Sequence, residues 1–322
     1  MKLRKLYEAA IAHGKAVDPR GEDQVQKSLE SKRKEYEELP DADKERFDKE
    51  SFTNPYSDSR ILYGDDDIEV KSALVGIDME TAEVVLADRL REKGREIDLI
   101  WAHHPEGAAL ANLGGVMAMQ ADILHRFGVP INIAEGMLES RIKEVERRVL
   151  PTNHMRAVDA AELLDIPMMC THTPADNCVA DYLQGLFDAE QPDTVGDVIE
   201  ILRGIPEYAA AERYGMALKV ITGGKKRRSG RIYVDMTGGT SGAEDTFEKL
   251  AARSDIGTMV AMHLPEKHRE QAEKHHINVV IAGHMASDSL GMNLLLDGVE
   301  KLTSQKLEVI GCSGFRRYEH KR

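Results

Sequence analysis

The sequence predicts an α/β fold built from two related α/β domains. A buried strand at 73–78, a helix at 81–91 and a second buried strand at 97–102 follow one another, which is the order of a parallel crossover. The apolar run at 97–104 is nearly repeated at 277–284, and both copies end in histidine. A chain of 322 residues is long enough to give each of two domains its own core.

Residues 1–53 are predicted to form a charged helical extension outside these domains. Apolar residues recur at helical spacing near its start, at Leu3, Leu6, Ala10 and Ile11. Residues 18–49 are dense in Lys, Glu, Asp and Arg and contain few apolar side chains. Such a stretch is either a solvated helical hairpin or a partner-binding arm, and the sequence leaves both open.

The first α/β domain is assigned to residues 54–192 and begins at the turn 54–58, where Asn, Pro, Ser and Asp cluster. Short apolar runs predict its strands at 73–78, 97–102, 129–134 and 168–171. Helical spacing predicts its helices at 81–91, 115–127, 158–164 and 179–187. The charged turn before Thr194 is the best candidate for the domain boundary.

The second α/β domain is assigned to residues 193–322. Its predicted strands lie at 217–222, 231–236, 258–262 and 277–284. Its predicted helices are one that ends at Lys274 and one at 290–302. The basic loop at 223–230 lies between the first two strands. It is either a phosphate-binding loop or the solvated tip of a β-hairpin, and the hairpin tip is favoured.

Charge and cysteine usage narrow the class of protein. A net charge of −13 opposes binding to nucleic acid or anionic lipid, because both partners are themselves negative. The three cysteines, Cys170, Cys178 and Cys312, are odd in number and lack paired metal-ligand spacing, which favours reduced thiols. The N-terminus lacks the continuous apolar core of a signal peptide. We therefore expect a cytoplasmic protein without a membrane partner.

Two adjacent histidines are the first candidates for a metal site. His103 and His104 follow the predicted strand at 97–102, at the sheet edge where α/β proteins place their sites. Consecutive side chains on an extended segment diverge, so this pair suits two neighbouring ions better than one.

Two further segments each carry a His and an Asp four residues apart. The pairs are His172 with Asp176 and His284 with Asp288, and both follow a predicted strand. A helical junction would place each pair on one helix face, as a shared metal site requires. The aspartates could equally be helix N-caps and the histidines satisfied at sheet ends, and spacing alone leaves both open.

A glycine-rich segment at 236–245 separates a predicted strand from a predicted helix. Its glycines Gly238, Gly239 and Gly242 could let backbone N–H groups approach an anion such as phosphate. The segment lacks the Gly-Lys-Ser/Thr ending of a nucleotide-binding P-loop. A tight strand-to-helix turn is the alternative.

Three motifs together resemble one family. They are His-His-Pro at 103–105, His-Thr-Pro-x-Asp at 172–176 and Gly-His-x-x-Ser-Asp at 283–288. They resemble the Ngg-interacting-factor-three-like family, also called dinuclear metal centre proteins, of which some members carry the label GTP cyclohydrolase I type 2 homologue. The resemblance covers the chain from about Asn54 to the final helix. It implies two α/β domains with a dinuclear metal site in the cleft between them, and a toroidal homo-hexamer.

The resemblance also implies five metal ligands: His103, His104, Asp176, His284 and Asp288. His172 matches a family histidine outside the usual ligands, so it could orient Asp176, act as a general acid or base, or make a structural hydrogen bond. The family usually has Glu where Asp288 stands, and a carboxylate one methylene shorter puts bridging geometry and metal preference in doubt. These ligand types suit zinc, iron and manganese alike.

The expected function is that of a metal-dependent hydrolase with two divalent ions. One ion would lower the pKa of a water molecule, and the other would polarise the substrate. The substrate would be a small molecule such as a nucleotide, a phosphoester or, following the family's GTP cyclohydrolase label, a purine ring. The alternative is a non-catalytic regulatory or metal-delivery protein that serves as an oligomeric scaffold. That alternative predicts saturated coordination, whereas hydrolysis requires an exchangeable position.

Overall fold

The computed structural model describes residues 1–216 and 218–320. The strands in these residues are β1 (Ser59–Tyr63), β2 (Ser72–Gly76), β3 (Leu99–Ala102), β4 (Met168–Thr171), β5 (Lys219–Thr222), β6 (Arg231–Asp235), β7 (Ile256–Ala261), β8 (Asn278–Ile281) and β9 (Glu308–Gly311). The predicted strand at 217–222 is therefore observed as β5, and Ala217 lies outside the described residues.

Helices occupy most of the remaining described chain, and a 3-10 helix spans Lys49–Phe52. The α-helices are α1 (Leu3–Ala16), α2 (Glu22–Glu38), α3 (Asp41–Lys44), α4 (Thr81–Glu92), α5 (Gly107–Ala111), α6 (Leu113–Val116), α7 (Met119–Arg126), α8 (Ile131–Val149), α9 (Arg156–Leu163), α10 (His172–Glu190), α11 (Val195–Arg203), α12 (Pro206–Arg213), α13 (Thr246–Arg253), α14 (Glu266–Lys274) and α15 (His284–Thr303). No helix among the described residues is both long and apolar enough to cross a membrane.

The strands form two sheets with the same internal order. The first sheet runs β1-β4-β3-β2-β9 and the second runs β5-β8-β7-β6. In each sheet three consecutive strands are parallel, and the first strand in sequence pairs antiparallel with the last of those three. The first sheet gains one more parallel strand, β9, beside β2. The α/β fold with two related halves is thus confirmed.

The equivalence between the two sheets corrects the repeat identified in the sequence. The similarity of 97–104 to 277–284 matches β3 with β8. The strand order instead makes β4 the counterpart of β8, and β3 the counterpart of β7. The apolar runs look alike because every parallel strand covered on both faces needs branched apolar residues. Sequence similarity between two buried strands therefore does not identify topological equivalents.

The predicted strand at 129–134 is wrong. Its branched residues alternate, as they do in a strand, but Pro130 caps a helix, α8, that begins at Ile131. Ala134, Leu138 and Val145 are buried on one face of this helix, so helical periodicity over nineteen residues prevails over a short alternating run. The strands β1 and β9 and the helices α11 and α12 are further elements that the sequence patterns did not predict.

The helices α10 and α15 pack against each other, and more than half of the residues of each are buried. A Cβ atom at Gly291 of α15 would lie 2.5 Å from the carbonyl oxygen of Ala175 in α10, so only glycine permits this close approach. Helix α1 packs on both, with Leu3, Leu6 and Ile11 buried, whereas α2 buries little besides Val25 and Leu29. The division of the chain at residues 53 and 192 stays a prediction.

Candidate metal centre

Three strand ends bring the sequence-predicted ligands together. His103 and His104 directly follow β3, α10 begins at His172 directly after β4, and α15 begins at His284 just beyond β8. These are the carboxyl ends of parallel strands, where open α/β sheets form their clefts. The first sheet supplies two of the ends and the second sheet supplies the third.

The first sheet holds its two strand ends firmly together. The backbone N–H groups of His103 and His104 donate to the carbonyl oxygens of Gly76 and Ile77, which prolongs the pairing of β3 with β2. The buried indole of Trp101 donates to the hydroxyl of Thr171 at 2.7 Å, which links β3 to β4 one residue before His172. The ligand positions on β3 and β4 are therefore fixed relative to each other.

Asp176 and Asp288 are not helix N-caps. The caps of α10 and α15 are Thr171 and Gly283, and each aspartate is the fifth residue of its helix. Each helix therefore begins with a histidine and presents an aspartate one turn later on the same face. This arrangement excludes the capping role that the spacing left open.

Asp288 lies at the centre of the cluster and is fully buried. Its Oδ1 lies 3.5 Å from His103 Nε2, and its Oδ2 lies 3.4 Å from both His104 Nε2 and His284 Nε2. His103 Nε2 also lies 3.5 Å from Asp176 Oδ1. Oδ1 of Asp288 is thus close to His103, and Oδ2 is close to His104 and His284.

These separations fit ligands of a shared ion. Two donor atoms bound to one zinc-sized ion at about 2.0–2.2 Å lie about 3.4 Å apart in tetrahedral coordination. Potential ligand atoms gather in three overlapping groups: His103 with Asp176 and Asp288, His104 with His284 and Asp288, and His103 with His104 and His172. The geometry is compatible with a metal site and brings all five predicted ligands into it.

The buried polar atoms of the cluster also lack other partners. Among the described residues, His103 Nε2, Asp176 Oδ1 and both carboxylate oxygens of Asp288 are inaccessible and make no hydrogen bond. Buried carboxylates without partners are strongly unfavourable unless they are paired or bind a cation. The residues present therefore fit a bound cation.

Two carboxylates that the sequence analysis did not single out support the cluster from behind. His104 Nδ1 lies 2.7 Å from Asp78 Oδ1, and His172 Nδ1 lies 2.8 Å from Asp58 Oδ2. The Thr173 hydroxyl also donates to Asp58 Oδ2. A carboxylate on the far ring nitrogen fixes the tautomer and orientation of a functional histidine. Asp78 follows β2, so the rule that selected His103 could have found it.

Burial and charge act differently on the members of the cluster. Burial lowers the pKa of His103 to about 4 and raises the pKa of Asp176 to about 8. Burial also opposes the charge on His104, but Asp288 and Asp78 outweigh it and raise the pKa of His104 to about 10. Although burial opposes ionisation of Asp288, His103 and His104 hold its pKa well below the usual range. Among the buried carboxylates Asp58, Asp176 and Asp288, Asp176 is thus the one whose pKa is raised.

A small pocket with a cavity volume of about 60 Å³ opens beside the cluster. Asp176, His284 and Asp288 line one side, and residues of the glycine-rich segment, including Gly239 and Ser241, line another. His263 lies at this pocket, with its ring 5.0 Å from the ring of His284. The sequence motifs do not include His263. It follows β7, which is the signal that marks the other strand ends.

The remaining sequence-predicted residues lie near this pocket or away from it. His172 lines the pocket, and its Nε2 lies 3.7 Å from Asp176 Oδ2. Gly238 and Gly242 belong to the loop that forms the opposite wall. The basic loop at 223–230 is largely exposed and is not among the residues that line the pocket.

Comparison with solved structures finds similar proteins. A NIF3 superfamily protein from Sphaerobacter thermophilus is 26% identical, with a TM-score of 0.68 over 80% of this chain and 91% of that one. Reduced HcgD from Methanocaldococcus jannaschii is 17% identical, with a TM-score of 0.48 over 78% and 87% of the two chains. TTHA1606 from Thermus thermophilus is 16% identical, with a TM-score of 0.45 over 80% and 89%. No family model and no curated protein matches the chain.

Proposed function

The chain belongs to the NIF3 superfamily, and from this premise we propose that it is a metal-dependent hydrolase with two divalent ions in the His and Asp cluster. The observation that carries the proposal is the position of Asp288. Its two oxygens face different histidines at 3.4–3.5 Å, as a carboxylate between two ions would. NIF3 stands for Ngg-interacting factor three, so this is the family that the sequence motifs resemble.

The ligands divide into two sets. His103 and Asp176 would hold one ion, and His104 and His284 would hold the other, with Asp288 shared between them. Such ions lower the pKa of bound water and polarise a carbonyl or phosphoryl oxygen. The Asp for Glu difference does not prevent the sharing, because both oxygens of Asp288 already reach histidine nitrogens.

His172 is proposed to handle a proton rather than to hold an ion. Asp58 accepts a hydrogen bond from Nδ1, which leaves Nε2 on the pocket side of the ring. A histidine with one nitrogen fixed by a buried carboxylate can take up or release a proton at the other. The contact of Nε2 with Asp176 would also orient that carboxylate.

The pocket favours hydrolysis over the alternative of a regulatory or metal-delivery protein. His284 is 39% exposed and Asp288 lines the pocket, so one side of the cluster faces an opening. Exchange of a water molecule or substrate requires such an open side. A purely structural metal site would be closed on every side.

Elemental analysis combined with a hydrolysis panel tests this proposal. After metal reconstitution and removal of excess ions, we expect two divalent ions per wild-type chain and turnover of at least one nucleotide, phosphoester or GTP ring-opening substrate. His104→Ala should lose both metal and turnover. His276→Asn, an exposed turn residue at φ 60° that Asn adopts readily, is the matched control.

The outcomes separate the two functions. Less than one ion per wild-type chain would contradict the dinuclear centre. Full metal occupancy without turnover that depends on His104 would support the binding protein instead. Zinc, iron and manganese are each offered separately, because the ligand set accepts all three.

We also propose a homo-hexamer, from the family resemblance, and a cytoplasmic location, from a cysteine usage that favours reduced thiols. Light scattering of the purified protein should then give six times the chain mass of 35.9 kDa. A monomeric mass at micromolar concentration would contradict the hexamer.

A further inference from the structure

The loop at 237–242 borders the same pocket as the metal cluster. Thr237, Gly239, Thr240 and Ser241 line this pocket together with Asp176 and Asp288. A substrate bound in the pocket therefore lies within reach of both the cluster and the loop. The function proposed above does not yet use the loop.

The carbonyl oxygens of this loop are bound from outside the pocket. Gln120 of α7 donates to the carbonyls of Gly238 and Thr240 at 2.6 and 2.7 Å. Arg141 of α8 donates from Nε to the Ser241 carbonyl at 2.9 Å. The acceptors of the loop are thus largely satisfied by helices behind it.

The N–H donors of the same loop are left without acceptors. The amides of Gly238, Gly239, Ser241 and Gly242 in this loop make no hydrogen bond to any described residue. The Thr240 amide does have an acceptor, the carbonyl of Gly238. Backbone N–H groups in a half-buried loop are normally paired. A loop with bound carbonyls and several unpaired amides is suited to bind an anion.

Gly238 and Gly239 allow the loop to pack closely against Gln120 and Val116. A Cβ atom at Gly238 would lie 2.7 Å from Gln120 Cγ, and one at Gly239 would lie 2.8 Å from Val116 Cγ1. The loop is therefore pressed against α6 and α7 on the side away from the pocket. Glycine at these positions brings the carbonyls within reach of Gln120, rather than simply clearing space for a ligand.

A second observation in the same pocket points to a ligand. Asp176 and Asp288 present buried oxygens without partners at its floor. Alone they would repel an anion. Two divalent cations held there would outweigh the two carboxylate charges and make the floor attractive to one.

We propose that the loop at 237–242 binds the phosphoryl group of the substrate through its free amides, so that the metal pocket takes a phosphate ester. This inference rests on the metal-dependent function proposed above and narrows its substrate to phosphorylated molecules. Gln120 and Arg141 are positioning residues, because they orient the loop without touching the ligand.

Calorimetric titration with inorganic phosphate tests the assignment on the metal-loaded protein. Gly239→Ala places a Cβ atom against Val116 at a residue with φ +88°, so the loop must move. Arg141→Met removes the hydrogen bond from Arg141 Nε to the Ser241 carbonyl, which lies outside the pocket. Losing a hydrogen bond to a charged group weakens binding about tenfold or more, so Gly239→Ala should raise the phosphate Kd by at least about tenfold. Arg141→Met should raise it by about threefold or more. Gly136→Ala, in an exposed turn of α8 with nothing within 4 Å, should leave the Kd unchanged.

Metal content measured on the same samples separates this inference from the proposed function. Full metal content with phosphate Kd values that match wild type in both variants would overturn the loop assignment and leave the metal centre standing. If Gly239→Ala does not fold, Arg141→Met decides the question. Titrations with a nucleoside monophosphate and a simple alkyl phosphate show which ester binds more tightly. Failure of phosphate and both esters to bind the metal-loaded wild-type protein would also overturn the assignment.

Discussion

The two halves of the molecule share one strand order but carry different chemistry at the ends of their strands. In the first half β4 leads to His172 and Asp176, and in the second half its counterpart β8 leads to His284 and Asp288. The same His and Asp pair therefore begins the equivalent helix in both halves. The strand counterparts β3 and β7 lead to His103 with His104 and to His263 respectively.

Burial and support distinguish the two His and Asp pairs. His172 is 8% exposed and is held by Asp58, whereas His284 is 39% exposed and meets only Asp288 and the rings of His104 and His263 in the contacts between described residues. The first half thus forms an enclosed, supported side of the cluster, and the second half forms its open side. One motif placed twice can serve two purposes, because the surroundings decide how firmly the imidazole is held.

Asp288 is the point at which the two sides depend on each other. Asp288→Asn removes the charge between the two ligand sets, so we expect both ions to be lost and affinity to fall by more than about 100-fold. Elemental analysis after dialysis measures the loss. Asp288→Glu restores the carboxylate and should regain at least one ion. An Asn variant that keeps two ions would show that the sides bind independently.

The equivalent histidines should respond differently to the same substitution. His172→Gln should keep two ions and lower turnover about 100-fold or more, since a positioned proton carrier contributes that much. His284→Gln should instead reduce the metal content from two ions to one. Metal analysis and steady-state kinetics on both variants give the comparison. Loss of an ion from the His172 variant would make the two histidines equivalent ligands.

The supporting carboxylates should differ in their effect on stability. Asp58 is fully buried, and removing one partner of a buried pair costs about 3–5 kcal/mol, so Asp58→Asn should lower the free energy of unfolding by about 3 kcal/mol. The Asp78 side chain is 50% exposed, and Asp78→Asn should cost about 1 kcal/mol or less. Urea unfolding of the metal-free variants measures both. Equal costs would contradict the expected effect of burial on these two carboxylates.

The enclosed and open sides of the cluster should also differ in the rate at which a chelator removes metal from them. The ion that His104 and His284 are proposed to hold would lie on the open side, so a chelator should extract it about tenfold faster than the ion proposed for His103 and Asp176. A colorimetric chelator then records two phases of equal amplitude. A single phase would indicate that both ions leave through one opening event.

The sequence predicted the members of the His and Asp cluster because they follow a local rule. Polar residues directly after buried strands identified His103, His172 and His284, and the four-residue spacing added the aspartates. Asp58 was missed because its partner, His172, is 114 residues away and only the folded sheet joins them. Asp78 and His263 obey the strand-end rule, but a lone residue beside a strand carries no spacing to mark it.

The fold was predicted well where a segment is long or buried on both faces. Strands β2, β3, β4 and β8 stand out because they are continuous apolar runs. The strand β9 is partly exposed, so its sequence resembles a surface segment, and its place beside β2 depends on the whole first half being formed. The segment after Val129 was mistaken for a strand because a window of six residues cannot separate alternation from one face of a helix.

The place of β9 has a consequence for the order of events during synthesis. The outer edge of β2 has no neighbour until residues 308–311 have left the ribosome, although the other strands of its sheet emerge much earlier. The growing chain therefore carries an unpaired strand edge from the synthesis of β2 until that of β9, which is a period of exposure to misassembly. Because Asp288 emerges after β1–β8, a cation that binds through this carboxylate can be held only once all of these strands have been made.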